Sequence, residues 1–167
     1  MPHLPSLKER GSGMDKQHVV EVFLRILDSK ITKTEESLVS LERQIQDAPG
    51  AMQSHSDTSK YQLGNVAQGI RERLQSMKRL RAIVQGIGTR KCRNLEHGAM
   101  FTILDLRRDH EECYFLLPEQ GGDSIEVDGQ EITFVSAQAP IVLAIAGRIP
   151  DDIFEFRGRR LQFVNVD

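Results

Sequence analysis

Apolar residues recur at alternating steps of four and three along the first third of the chain. The positions are Val20, Leu24, Leu27, Ile31, Thr34, Leu38, Leu41 and Ile45, with Thr34 as the polar member and polar residues on the other faces. A stripe of this kind is typical of a coiled-coil seam. Pro49 and Gly50 end the predicted helix. Val19, Phe23 and Ile26 widen the stripe near its start, so we expect that end to pack against a further surface.

A second pattern of the same kind begins near residue 56. Its apolar positions are Leu63, Val66, Ile70, Leu74, Met77, Leu80 and Val84. Ser56, Asp57 or Thr58 would cap the helix start, and Gly86 with Gly88 would end the helix. Two long amphipathic helices with a short polar connection pair antiparallel. The sequence therefore predicts a coiled-coil hairpin over residues 15–85, with its tip at residues 47–61.

After a predicted linker over residues 86–94, the rhythm changes to short runs of β-forming residues. These runs are residues 99–106, 113–117, 124–127, 131–135, 153–156 and 161–166. Asp128 and Gly129 between two runs predict a type I′ hairpin turn. Residues 139–147 are apolar, with Pro at the start and Gly at the end, which predicts a short buried helix. Fold class is therefore α+β, with a mostly antiparallel sheet and one helix over residues 95–167.

The composition narrows the range of functions. The chain has 22 basic and 24 acidic residues in 167, so no overall field favours nucleic acid or a membrane surface. No apolar run is long enough to span a bilayer. Residues 1–14 are rich in Pro, Gly and Ser and lack the apolar core of a secretory signal, so we expect a disordered tail, with Met1 or Met14 as the start. Two cysteines fit a reduced, cytoplasmic protein.

Two segments of the C-terminal half carry a resemblance. Leu95–Ile103 looks like the opening strand of the Gre transcript-cleavage factors of bacterial RNA polymerase, and 136–148 looks like their signature, although Ala139 stands where a serine is usual. A long helical hairpin followed by such a β domain also resembles this family. The resemblance covers about residues 15–167.

The family resemblance implies that the partner is RNA polymerase and that the β domain and the hairpin have different roles. The β domain would be FKBP-like and would dock on the rim of the polymerase's secondary channel through 136–148. The docking residues would be Ser136, Pro140, Ile141, Gly147 and Arg148. The hairpin would enter the channel, where an acidic pair at its tip helps the polymerase to hold a catalytic Mg²⁺, a hard cation that prefers oxygen ligands. No metal would be bound by this protein alone.

The tip keeps one of the two acids that the resemblance implies. If Tyr61 is aligned with the family's tyrosine, Asp57 stands in place of the family's Glu, and Ser54 replaces its Asp. The resemblance then favours a regulator that binds the channel without stimulating cleavage. In the alternative, an active cleavage factor, Asp57 is the catalytic residue and shares the metal with Asp47. The remaining tip candidates are Ser54, His55, Ser56, Thr58 and Tyr61.

Basic residues line the second predicted helix. Lys60, Arg71 and Lys78 are spaced eleven and seven apart and therefore share one face, which we expect to lie away from the seam. Such a face would contact nascent RNA or the channel wall. The alternative is an ordinary solvated face, and no interleaved aromatic residues favour base stacking.

Two other classes of function remain. The apolar residues Val19, Phe23 and Ile26 would suit a coiled-coil module that binds proteins other than polymerase. An enzyme in its own right is not indicated, because no nucleophile–base pair or metal cluster can be assembled. The thiol of Cys92 lies among basic residues, which favour a thiolate, but no base or orienting group accompanies it in the sequence. We expect a monomeric cytoplasmic protein without a membrane contact.

Overall fold

A computed structural model describes residues 14–47 and 54–167, with backbone alone over residues 54–57. The predicted disordered tail, up to residue 13, and the connection over residues 48–53 lie outside the described residues. None of the described helices is both long and apolar enough to cross a membrane.

Two long helices precede six strands and one short helix, which confirms the α+β class. The helices are α1 (Lys16–Asp47), α2 (Ser54–Ile87) and α3 (Pro140–Ile145), with α3 between β4 and β5. The strands are β1 (Met100–Asp105), β2 (His110–Leu117), β3 (Ser124–Val127), β4 (Gln130–Ser136), β5 (Ile153–Phe156) and β6 (Arg159–Val166). Every predicted strand is present, with bounds that shift by three residues at most.

The chain divides into two compact units, and their boundary differs from the predicted one. The hairpin unit is Leu24–Gln85, and the sheet unit joins the residues up to Phe23 with Gly86–Asp167. The first two turns of α1 therefore belong with the sheet and not with the hairpin. The predicted linker over residues 86–94 also belongs to the sheet unit, and α2 extends into it as far as Ile87.

In the hairpin unit the two helices run antiparallel. Glu42 of α1 pairs with Arg71 of α2, and Glu35 pairs with Lys78. A step of seven residues towards the start of α1 thus corresponds to a step of seven residues towards the end of α2, as in antiparallel helices. The buried apolar side chains are Leu27, Ile31, Ala67, Leu80 and Val84. Ala67 takes the seam position expected for Val66, which is 53% exposed. The reason is spacing, since Ala67 is four residues after Leu63 and three before Ile70.

The sheet of the second unit has the strand order β3-β4-β2-β1-β6-β5. All neighbouring pairs are antiparallel except β2 and β4, which are parallel. The turn at Asp128 and Gly129 has φ angles of 52° and 78°, as a type I′ turn requires, and that prediction is confirmed. Arg157 and Gly158 form a second turn with two positive φ angles, of 49° and 73°, between β5 and β6.

Apolar side chains cover both faces of this sheet. Val135 of β4 lies in a core cluster with Ile141, Val142 and Ile145 of α3. Phe134 precedes Val135 on the strand and therefore points to the opposite face. There it stacks on Phe23 with ring centroids 3.8 Å apart. The sheet thus lies between α3 and the first turns of α1.

This packing bears on the apolar residues at the start of α1. Val19 is completely buried and Phe23 is 2% exposed, so the expectation of a further packing surface is confirmed for both. Ile26, in the hairpin unit, is half-buried. Two of the three residues that suggested a separate interaction module, Val19 and Phe23, are therefore covered by the chain itself, and the hypothesis of such a module stays a prediction.

Gly98 is required where the chain approaches the end of α2 closely. Its φ of +89° lies in the left-handed region, and a Cβ there would lie 2.2 Å from Cγ2 of Ile87. Both the backbone angle and the space therefore exclude a larger residue.

Candidate functional site

The predicted tip acids lie on different helices. Asp47 is the last residue of α1 and is exposed. Asp57, the candidate catalytic residue, is the fourth residue of α2, and its side chain lies outside the described residues. Among residues 14–47 and 58–167, no group of three or more His, Cys, Asp or Glu side chains is placed to hold a metal ion. The paired-acid site therefore remains a prediction.

The start of α2 differs from the expectation. The helix begins at Ser54, so Ser54, His55, Ser56 and Asp57 are all helical. Ser56, Asp57 and Thr58 lie inside the helix and none of them is its N-cap, because the first turn forms two residues earlier than the sequence suggested. Thr58 is exposed, and Tyr61, at 72% exposed, presents its ring to solvent.

The basic face of α2 is not directed away from the seam. Arg71 Nη2 lies 2.6 Å from Glu42 Oε1, and Lys78 Nζ lies 2.6 Å from Glu35 Oε1. Arg81 binds Asp28 in the same way, and this hydrogen bond lowers the pKa of the Asp28 carboxyl against the opposing effect of burial. These cations flank the seam and pair with α1, and Lys60 is half-buried. Arg71 and Lys78 lie on one face of α2, as their spacing predicted. That face borders the seam, whereas the prediction placed it away from the seam.

A groove lies beside α3 in the sheet unit. Its volume is about 560 Å³. Its floor contains Leu116, Val142 and Phe163, and its rim carries Leu143, Ile149, Arg93, His97 and Arg148. Leu143 is 58% exposed and Ile149 is 67% exposed, so the rim of the groove presents two large apolar side chains to solvent. An apolar groove with basic groups at its rim is suited to a protein partner.

Arg148 is held in place at the rim of this groove. Its Nε donates to the carbonyl of Ala144 at 2.9 Å, and its guanidinium lies 5.0 Å from the centre of the Phe154 ring. Gly147, with φ of +76°, makes the turn that ends α3, and the residues that follow it line the groove. A fixed cation costs less entropy on binding than a free one.

The five predicted docking residues differ in exposure and in position relative to the groove. Gly147 and Arg148 line the groove, and Pro140 is exposed at the first position of α3. Ser136 is half-buried at the end of β4. Ile141 is only 7% exposed and belongs to the core, as expected for the buried helix predicted over residues 139–147, and its role in docking stays a prediction. Periodicity in the short run of apolar residues over 139–147 does not distinguish Ile141 from Leu143, which the prediction missed.

A second cluster of charged groups joins β1, β2 and β6. Arg159 binds Glu112 and lies 3.6 Å from the buried carboxylate of Asp105. Burial raises the pKa of the Asp105 carboxyl, but the N–H groups of Arg107 and Arg108 and the charge of Arg159 outweigh it, so the net pKa is lowered. The pKa of Glu112 is lowered too, since the hydrogen bonds from Arg159 and Tyr114 outweigh burial. Each group has its partner, and the cluster is structural.

Comparison with known proteins does not assign this chain to a family. No family model matches this chain, and no curated protein matches it. A solved structure of the transcription factor Gfh1 is 14% identical, covers 86% of this chain and 92% of its own, and has a TM-score of 0.34. Gfh1 of Thermus aquaticus is 12% identical over 85% and 92%, with a TM-score of 0.33. Function must therefore be inferred from the residues of this chain.

Proposed function

We propose that this protein binds bacterial RNA polymerase at its secondary channel and regulates transcript elongation. The observation that supports the proposal is the groove beside α3. It is lined by Gly147 and Arg148, from the segment 136–148 whose sequence resembles the docking signature of the Gre factors. The antiparallel hairpin that precedes the sheet in sequence is the other half of that resemblance. The protein would act in the cytoplasm.

The groove supplies the contacts that such docking needs. Leu143 and Ile149 are large apolar side chains that solvent reaches, and burial of each against a partner would contribute roughly 1–2 kcal/mol. Arg148, already fixed by Ala144 and Phe154, would add a directed cation at the edge of the interface. A few such residues at the centre of an interface usually dominate its affinity.

Binding of the purified protein to core polymerase at moderate salt tests docking. We expect Leu143→Asp and Ile149→Asp each to weaken binding by about tenfold or more, because an acid in an apolar interface is costly to desolvate. Leu106→Asp is the matched control, since Leu106 is 37% exposed in the same unit but does not line the groove. No binding by the unchanged protein would overturn the proposal.

At the tip, we propose regulation without transcript cleavage. Only Asp57 of the two implied acids is kept, and Ser54 replaces the other. One carboxylate gives Mg²⁺ fewer oxygen ligands than two. The protein is then not an enzyme, and any Mg²⁺ would be held jointly with the polymerase active site. Lys60 near the tip would contact nascent RNA or the channel wall.

Stalled, backtracked polymerase complexes distinguish the regulator from a cleavage factor. We expect slower elongation and no shortened RNA with the unchanged protein. Ser54→Asp restores the implied pair and is expected to produce short RNA that can be re-extended. If the unchanged protein already produces such RNA, and Asp57→Asn or Asp47→Asn abolishes it, the alternative of a cleavage factor is correct.

A further inference from the structure

Two reactive side chains meet inside the sheet unit. Lys16 is 4% exposed and Cys92 is 5% exposed. The Lys16 amine lies 3.5 Å from the Cys92 sulfur, although the two residues are 76 positions apart in the chain. The amine also donates to the carbonyls of Arg90 at 2.5 Å and Asp167 at 2.9 Å. A lysine buried this completely is uncommon.

We propose that Lys16 and Cys92 form a covalent sulfur–nitrogen bridge, a sulfenamide, when hydrogen peroxide oxidises the thiol. The Arg90 carbonyl positions both partners, since it lies 3.7 Å from the Cys92 sulfur as well as 2.5 Å from the Lys16 amine. The amine is a nucleophile once it has lost its proton, and the sulfur of a sulfenic acid is an electrophile. Their contact holds the two reacting atoms together before oxidation, which favours the intramolecular reaction.

The reaction proceeds in two balanced steps. In the first, the Cys92 sulfur attacks peroxide, the O–O bond breaks, and the products are the sulfenic acid and one water molecule. In the second, the neutral Lys16 amine attacks the sulfenic sulfur, the S–N bond forms as the S–O bond breaks, and the leaving hydroxide takes the amine proton as a second water. Peroxide is reduced, and the sulfur is oxidised by two electrons.

Cys113 provides a control within the same unit. Its sulfur lies 3.3 Å from the Thr102 hydroxyl and 2.9 Å from the Gln130 amide nitrogen. Neither neighbour is an amine that can attack an oxidised sulfur. Burial also raises the pKa of the Cys113 thiol, which disfavours the reactive thiolate.

The bridge would have a mechanical consequence. It would join the first turn of α1 to the segment that follows α2, and would close a loop that contains residues 17–91. Closing a long loop restricts the unfolded chain more than the folded one. Oxidised protein should therefore unfold at a higher temperature than reduced protein.

Mass spectrometry of the full chain tests the proposal in a Cys113→Ser background, which removes an internal disulfide as a competing product. After treatment with peroxide, we expect a species about 2 Da lighter than unbridged protein with the same number of oxidised methionines, and a thiol reductant to restore those 2 Da. Trypsin should then yield residues 11–25 linked to residues 92–93, without cleavage after Lys16. This readout needs no change at Lys16.

Lys16→Arg removes the nucleophilic amine and keeps the charge, and circular dichroism checks that the variant folds. We expect this variant to gain oxygen at Cys92, about 16 or 32 Da, without any loss of mass. The proposal is overturned if Cys92 of the Cys113→Ser protein only gains oxygen or stays unmodified. It is also overturned if Lys16→Arg loses the same 2 Da.

Discussion

The hairpin unit and the sheet unit are stabilised in different ways. In the hairpin, five side chains of the seam are buried and exposed ion pairs flank them. In the sheet unit, four phenylalanines, Phe101, Phe115, Phe134 and Phe163, are among the largest fully buried side chains. Close packing of this kind is insensitive to salt, whereas exposed ion pairs are weak and screened. The difference implies that stability is concentrated in the sheet unit.

The largest effect should come from the aromatic core. Phe134→Ala would leave a cavity beside Phe23 and Phe115, and we expect a loss of about 3–5 kcal/mol in the free energy of unfolding. In the hairpin, Leu41→Ala at a half-buried seam position should cost less than about 2 kcal/mol.

Fluorescence can report on the sheet unit alone. The chain has no tryptophan and two tyrosines, Tyr61 in the hairpin and Tyr114 in the sheet. In a Tyr61→Phe background, Tyr114 emission during denaturation with urea follows the sheet unit, and circular dichroism is dominated by the helices. Equal losses in the free energy of unfolding for Phe134→Ala and Leu41→Ala would contradict the conclusion that stability is concentrated in the sheet unit.

A smaller effect is expected from the charged cluster at the sheet edge. Arg159→Met removes the partner of Glu112, which is partly buried, and should cost about 2 kcal/mol. Arg160→Met is the matched control because Arg160 is the exposed neighbour on the same strand. Urea denaturation followed by Tyr114 emission measures both, and equal costs would show that the ion pair contributes nothing particular.

The loss of stability in acid should depend on salt in the hairpin unit but not in the sheet unit. Asp105 and Glu112 have folded-state pKa values below their ordinary values of 3.8 and 4.5. Their contribution is complete above about pH 4.5 and is lost as the pH falls through the lowered values. The Asp28 carboxyl of the hairpin shifts in the same direction, but it is exposed.

The measurement is unfolding free energy between pH 6 and about pH 3, in low salt and in about 1 M salt. We expect the acid-dependent loss at the sheet to persist in high salt, and that of the hairpin to disappear. Arg159→Met should flatten the dependence at the sheet alone. A salt-sensitive loss at the sheet would contradict the assignment of these carboxylates to a buried cluster that salt does not screen.

The smallest effect is expected at the hairpin surface. Glu35→Lys places two cations opposite each other at Lys78 and should cost about 0.5–1 kcal/mol at low salt. The double variant with Lys78→Glu should recover most of this loss. Glu36→Lys, on the next residue, controls for net charge, and thermal unfolding by circular dichroism at two salt concentrations measures all three. A loss that persists at high salt would point to packing instead of charge.

The elements of the fold were predictable because local chemistry marks their ends. Pro49 and Gly50 follow Asp47, the last residue of α1, in the sequence. Asp128 and Gly129 form the turn between β3 and β4. The parallel pairing of β2 and β4 was not predictable, because register between distant strands depends on packing that no local pattern records. The first turns of α1 were assigned to the hairpin for a similar reason, since a heptad pattern does not identify which partner covers it.

The candidate sites were less predictable than the fold. The spacing of Arg71 and Lys78 showed that they share a face, but the acids that bind them come from the other helix. No local pattern in the sequence marks Lys16, because its partners Arg90, Cys92 and Asp167 lie more than 70 residues away. Leu143 and Ile141 are equally apolar, and only the docking of α3 on the sheet buries one and exposes the other.

The discontinuity of the sheet unit has a consequence for synthesis on the ribosome. The hairpin unit is one uninterrupted stretch of the chain. In the sheet unit, Phe23 can stack only after Phe134 has been synthesised, and Lys16 can bind the Asp167 carbonyl only after Asp167 has been synthesised. Of the described strands, β6 comes last in the chain, yet it lies between β1 and β5. The helices can thus pair while translation continues, and the earliest turns of α1 stay uncovered until the final strand leaves the exit tunnel.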